Sequence, residues 1–227
     1  RSLVGEPEVM EMVMNSGDGH GITQEVIDHG KAEYVFDQGD IRMVVISTAA
    51  ETGAAEGVYR QAQVDTFLRD ALDDAEADGK WVVVCSHHGA TSLGDGSGLG
   101  GMAQADALNT QDFVDLLGEY PNVIMHLAGH SHDHDVQVMA AASGHNYWQV
   151  RTAAIADFPH QMRIVEIHDQ DNGWLTISGA ALDYYLDDDA LAAEGYARGV
   201  LDMTSAWTGD GSGMPADRNV RLWFQKP

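Results

Sequence analysis

His130 and His132 stand two residues apart in Gly129-His130-Ser131-His132, directly behind the apolar run Val123-Ile124-Met125-His126-Leu127-Ala128. Imidazole is a neutral nitrogen ligand that zinc, manganese and iron all accept, and a strand end holds such ligands in place while the loops beyond it leave access. In an extended segment residues i and i+2 project to one side, so both rings are expected to face one cavity. A second apolar run, Trp81-Val82-Val83-Val84-Cys85-Ser86, also ends in histidines, His87 and His88. If the two strands are neighbours, His87 joins His130 and His132 as a metal ligand, and His88 turns toward substrate or supports the ligands from behind.

The remaining histidines carry less information. His20, His29, His145, His160 and His168 occur singly and read as surface or polar-niche residues. His126, inside an apolar run, reads as a satisfied core histidine. The run His130-Ser131-His132-Asp133-His134-Asp135 differs from the His-x-His-x-Asp-His of the metallo-β-lactamase fold, because its aspartate and histidine are reversed. No Gly-x-Ser-x-Gly elbow and no Gly-x-x-x-x-Gly-Lys phosphate loop is present, and Cys85, the single cysteine, lies inside a valine run where a thiol is a small hydrophobe. Hydrolysis assisted by a metal ion is the chemistry these residues support.

The elements that must position them are legible from periodicity. Residues 1–31 read as a lead-in segment, a short helix around Val9, Met12 and Val13 followed by loop. Tyr34-Val35-Phe36 and the run from Ile41 to Ile46 flank Asp37-Gln38-Gly39-Asp40, a hairpin signal. From Gln61 to Glu76, Val64, Phe67, Leu68, Ala71, Leu72 and Ala75 keep helical spacing with aspartates outside. The strand from Trp81 lacks alternation, as for a strand covered on both faces. A long glycine-containing loop runs from Gly89 to Ala105, and loops of this length after a strand end tend to be functional. A helix from Thr110 to Leu117 follows, then strands at Val123 to Ala128, Val136 to Ala140 and Tyr147 to Thr152. Arg163 to Ile167 and Trp174 to Ile177 flank the turn Asp171-Asn172-Gly173. Asp187 to Met203 reads as a helix and the tail to Pro227 as irregular, so that 186–227 is a C-terminal helix and tail. Strand-helix-strand order followed by meandering strands indicates an α/β fold with a mixed sheet.

Twelve Lys and Arg against 36 Asp and Glu give a formal charge of -24 over 227 residues. That balance argues against nucleic acid or anionic lipid as a partner through general electrostatic attraction. No apolar segment approaches the roughly 20 residues of a membrane span. The length suits one domain.

Val84-Cys85-Ser86-His87-His88-Gly89 and Leu127-Ala128-Gly129-His130-Ser131-His132 resemble the last two metal-binding blocks of the calcineurin-like metallophosphoesterases. Gly19-His20-Gly21-Ile22, the strand pair around Tyr34 to Ser47, Gln61, the segment Asp157 to Arg163 and Asp217-Arg218-Asn219-Val220 extend the likeness to a bacterial, often exported branch. The resemblance implies a four-layer α/β/β/α sandwich with mixed central sheets and a site for two divalent ions, Zn, Mn or Fe. His87, His130 and His132 would each ligate one or other ion, and His88 and His134 would lie near the substrate. In the family a hydroxide bridging the metals attacks phosphorus in line.

The family's earlier blocks, Asp-x-His, Gly-Asp-x-x-Asp and Gly-Asn-His-Asp/Glu, have no convincing match here; Asp18-Gly19-His20 has no strand before it, and Ser47 stands where the branch usually has aspartate. The resemblance therefore implies the C-terminal half of one metallophosphoesterase domain over 1–227, with the N-terminal half in the same precursor or another chain. The expected activity is phosphoester hydrolysis on a small-molecule substrate, weak or nil for this chain alone. The alternative is a non-catalytic metal-stabilised or interaction module. Family and acidity favour an exported protein.

Overall fold

A computed structural model describes residues 4–16, 21–51, 53, 55–98, 101–183 and 189–227. The expectations that rest on Asp18, Gly19 and His20 lie outside these. The chain divides into two compact units, one of residues 1–123 with 141–145, the other of 124–140 with 146–227.

In the first unit, α1 (Glu6–Asn15) and α2 (Gln24–His29) form a small cluster around Met10, Ile22 and Ile27. On the expected helix around Val9, Met12 and Val13, Val9 and Met12 are exposed and Met10 is buried. The expected loop after α1 contains α2, whose ends are chemically marked: the Thr23 hydroxyl accepts from the Val26 amide, and Gly30 closes it at φ 87°. β1 (Tyr34–Gln38) and β2 (Ile41–Val45) pair antiparallel about Gly39-Asp40, with Gly39 at φ 60°. β2 in turn pairs in parallel with β3 (Trp81–Cys85), so this sheet is mixed.

Between β2 and β3 runs the expected helix, interrupted by one wide turn. α3 (Gln61–Gln63) passes into a π-helical turn over Val64–Leu68 and then α4 (Arg69–Ala77). Val64, Leu68, Ala71, Leu72 and Ala75 form its buried stripe. Val82, Val83 and Val84 of β3 are all buried, which accounts for the missing alternation. The long loop after β3 is tied down: a 3-10 turn spans Ala90–Ser92, Gly57 donates to Ser92 O, and Leu108 donates to Tyr59 O. α5 (Thr110–Gly118) starts at Asn109, whose side chain accepts from the amides of Gln111 and Asp112.

The second unit holds most of β4 (Val123–Ala128), with β5 (Asp135–Ala140) and β6 (Asn146–Arg151). β4 is parallel to β6, and β5 antiparallel to it. A separate three-stranded antiparallel sheet consists of β7 (Gln161–Asp169), β8 (Trp174–Asp183) and β9 (Val220–Gln225) in that order. The β7-β8 hairpin turns at Asp171 and Gly173, both at positive φ. α6 (Ala190–Thr204) and α7 (Pro215–Arg218) precede β9. The tail is thus not irregular: Leu222 and Phe224 are buried while Arg221 and Trp223 are exposed, the period-two pattern of a strand with one covered face.

Candidate metal centre

β4 delivers its histidines through a bend, not through continued extended chain. The strand stops at Ala128, and His130 and His132 then adopt φ 70° and 60°. Left-handed backbone costs a residue with a Cβ roughly 1–2 kcal/mol, so surrounding contacts must hold the bend. Those contacts come from the segment before β9. Gly211 O accepts from the His134 amide at 3.0 Å, and a Cβ on Gly211 would stand 2.0 Å from His132 O.

His130 and His132 line a cavity of about 490 Å³ together with Asp133, Asp157 and Asp210. His132 Nδ1 lies 2.5 Å from Asp157 Oδ2. Since a carboxylate accepts, Nδ1 carries the proton in this contact, and the His132 side chain is half exposed. Ser131 Oγ donates to Asp133 Oδ1, and Arg151 pairs with Asp133 at 3.3 Å and with Asp135 at 3.2 Å. The Ser212 hydroxyl and amide hold the Asp210 carboxyl below the usual carboxylate range. Imidazole nitrogen and carboxylate oxygen at one cavity is a donor set suited to borderline divalent ions.

His134 is placed differently. It is 1% exposed, its Nδ1 accepts from Arg163 at 2.8 Å, and its Nε2 donates to Gln161 Oε1 at 2.9 Å. Burial pushes its pKa below the ordinary imidazole value, and the Arg163 charge pushes the same way. A neutral ring with both nitrogens engaged can brace the bend.

In the first unit, His88 is likewise engaged. It is buried, with Nε2 3.2 Å from Ala55 O and Nδ1 2.9 Å from Thr48 Oγ1. A carbonyl only accepts, so Nε2 carries the proton and the Thr48 hydroxyl donates to Nδ1. Gly57 is required beside it, because a Cβ there would approach His88 Cγ to 2.5 Å. His87 is exposed, its ring edge-on to His88 with centroids 4.7 Å apart. Glu33, 2% exposed, accepts from Gln63 Nε2 at 3.0 Å, and burial raises its pKa.

Other residues behave as their types suggested. Burial pushes the Cys85 thiol up to about 12, which rules out an activated thiolate. His126 is wholly buried, pairs in register with Gln149 and is pushed down to about 4 by burial. His145 lies 2.8 Å from Val123 O and His160 2.8 Å from Ile155 O, both structural contacts. Thr48, Asp133 and Asp210 escaped sequence reasoning, and only Asp157 lay in a segment to which the family likeness drew attention.

No family model matches the chain. Over 100 residues it is 35% identical to a probable cyclic nucleotide phosphodiesterase of Synechococcus sp. (strain WH7803). That likeness is to a phosphodiesterase. The matched stretch is 44% of this chain and spans about a third, 36%, of that relative's length. Among solved structures, a Thermus thermophilus sulfate thiohydrolase, SoxB, aligns with 84% of this chain and 24% of its own at 16% identity and a TM-score of 0.29.

Proposed function

We propose that this chain contributes the histidine side of a metal-dependent phosphoester hydrolase site. The observation that carries the reading is the cavity at the end of β4, where His130 and His132 meet three carboxylates and Asp157 orients His132. The likeness to a phosphodiesterase supports the reaction class. His87, His130 and His132 are the proposed ligands, while His88 and His134, with both nitrogens engaged, act as positioning residues beside the substrate. When bound, two divalent ions, Zn, Mn or Fe, supply Lewis acidity toward a phosphoryl oxygen and a nucleophile at neutral pH. The chain's own part is to orient the His132 ring through Asp157, and to keep the His130 bend in place through Gly211 and His134.

The finer parts of this reading follow the family likeness: a four-layer sandwich over a single domain, an exported protein, and an N-terminal half that brings the aspartate and asparagine ligands. The lack of matches to the family's earlier blocks also favours a second reading, a metal-stabilised module without catalysis. Titrating the metal-free chain with Mn²⁺ and Zn²⁺ tests the site, with binding expected to fall in both His130→Ala and His132→Ala. Unchanged metal content in the two variants removes the site. Hydrolysis of bis(4-nitrophenyl) phosphate is expected to be weak for this chain alone and to rise when a segment carrying Asp-x-His and Gly-Asn-His is supplied. No rise selects the non-catalytic module.

A further inference from the structure

The wall of the His130 cavity carries one side chain unlike the rest. Apart from Trp207, its lining consists of His, Ser, Asp, Thr and Gly. Trp207 is 83% exposed. A single exposed apolar residue is ordinary; its position here is not that of a loose loop tip. α6 ends just before it, with Ser205 donating to Leu201 O at 2.9 Å, Ala206 to Met203 O at 3.0 Å, and Trp207 itself to Asp202 O at 2.9 Å. Ala206 takes φ 60°, a left-handed turn at the helix end that favours glycine and is here imposed on alanine. Four residues further on, Gly211 is locked against the histidine bend. The indole is therefore carried between two anchored points on the cavity rim.

The charge of the lining supplies the second argument. Among the described residues, Asp133, Asp157 and Asp210 line the cavity and no Lys or Arg does. Arg151, which reaches Asp133 from behind the lining, is shared between Asp133 and Asp135, so affinity for an anionic phosphoester must also come from the non-phosphate part of the molecule. An indole face binds planar π systems with little regard to their hydrogen-bonding pattern.

We propose that Trp207 is a stacking platform for a planar aromatic group of the phosphoester, a nucleobase or an aryl alcohol, and sets a preference for aromatic over alkyl esters. This rests on the reading of the cavity as a phosphoester site. Two sets of measurements keep the ideas separable. Adenosine, which has no phosphate, is titrated into the metal-free chain by calorimetry: wild type binds weakly, Trp207→Ala loses about 10-fold or more in affinity, and Trp207→Phe stays within about 3-fold. No binding by wild type, or equal binding by Trp207→Ala, overturns the platform whatever the metal does. With the Mn²⁺-loaded chain, adenosine 5′-monophosphate and phenyl phosphate are each expected to bind about 10-fold tighter than methyl phosphate, an advantage lost in Trp207→Ala with methyl phosphate unchanged. Equal loss for all three esters also overturns it. If no metal binds while the adenosine result holds, the platform stands and the hydrolase reading falls.

Discussion

Asp157 does its work through another residue. By holding the proton on His132 Nδ1 it fixes both the tautomer and the direction of Nε2, and removing such a carboxylate commonly costs 10–100-fold in metal affinity. Asp157→Ala is therefore expected to weaken Mn²⁺ or Zn²⁺ binding by about that factor, with little change in melting temperature because the side chain is partly exposed. Calorimetric metal titration checks it, and an unchanged affinity would show that His132 needs no orienting partner. His126 makes a prediction about stability. Its folded pKa is about 4 against an unfolded value near 6.5, so the unfolded chain binds the extra proton between them. Its neutral burial costs nothing above pH ~6.5, and stability drains as pH falls toward ~4, by about 3 kcal/mol in all. Urea denaturation across that range should show a steeper loss in wild type than in His126→Gln. Parallel losses would mean His126 is not the group responsible. His126 was legible as a core residue from its apolar neighbours, whereas Asp157 as the partner of His132 was not, since 25 residues separate them.

The segment from Trp207 to Gly213 behaves as a strap over the histidine bend, and its glycines differ in what they tolerate. A Cβ on Gly211 meets His132 O at 2.0 Å, while one on Gly209 meets nothing within 4 Å. Gly211→Ala is expected to destabilise by about 1–3 kcal/mol and to lower metal affinity, while Gly209→Ala is near neutral. Thermal melts of the pair with metal titration decide it, and equal behaviour would remove the strap from the account. The hairpins, α5 and β3 could be read locally because turn residues, caps and burial leave marks within a few positions. β9 also carried its mark, the alternation of Leu222 and Phe224 with Arg221 and Trp223, and its short length between polar stretches hid it. The π turn at Val64–Leu68 left no mark, since its stripe at 64, 68, 71, 72 and 75 is also that of an uninterrupted helix.

A chain with 36 acidic and 12 basic side chains repels itself. Screening should relieve that strain, so the melting temperature is expected to rise between 0.05 and 1 M KCl (about 2–4 °C per kcal/mol for a chain of this size). A fall with salt would mean that ion pairs such as Arg42 with Asp37 and Asp78 outweigh the net repulsion. Bound metal should stabilise further, by about 2.7 kcal/mol at a free concentration 100 times the Kd, reversed by EDTA and absent in His130→Ala. A wild-type melt indifferent to Mn²⁺, Zn²⁺ and EDTA would contradict the metal centre. Among the described residues no helix is long and apolar enough to cross a membrane.

The amino-acid order alone marked the runs that become β1 to β8, though not β9, and that imidazoles stand just after two of them, because burial and turn propensity are written in neighbouring residues. Only the tertiary structure decided how those imidazoles are used. Asp157 is 25 positions from His132, Thr48 is 40 from His88, and Trp207 is 75 beyond His132. Pairings over such separations are selected by packing and by hydrogen-bond geometry in three dimensions, and no local period encodes them.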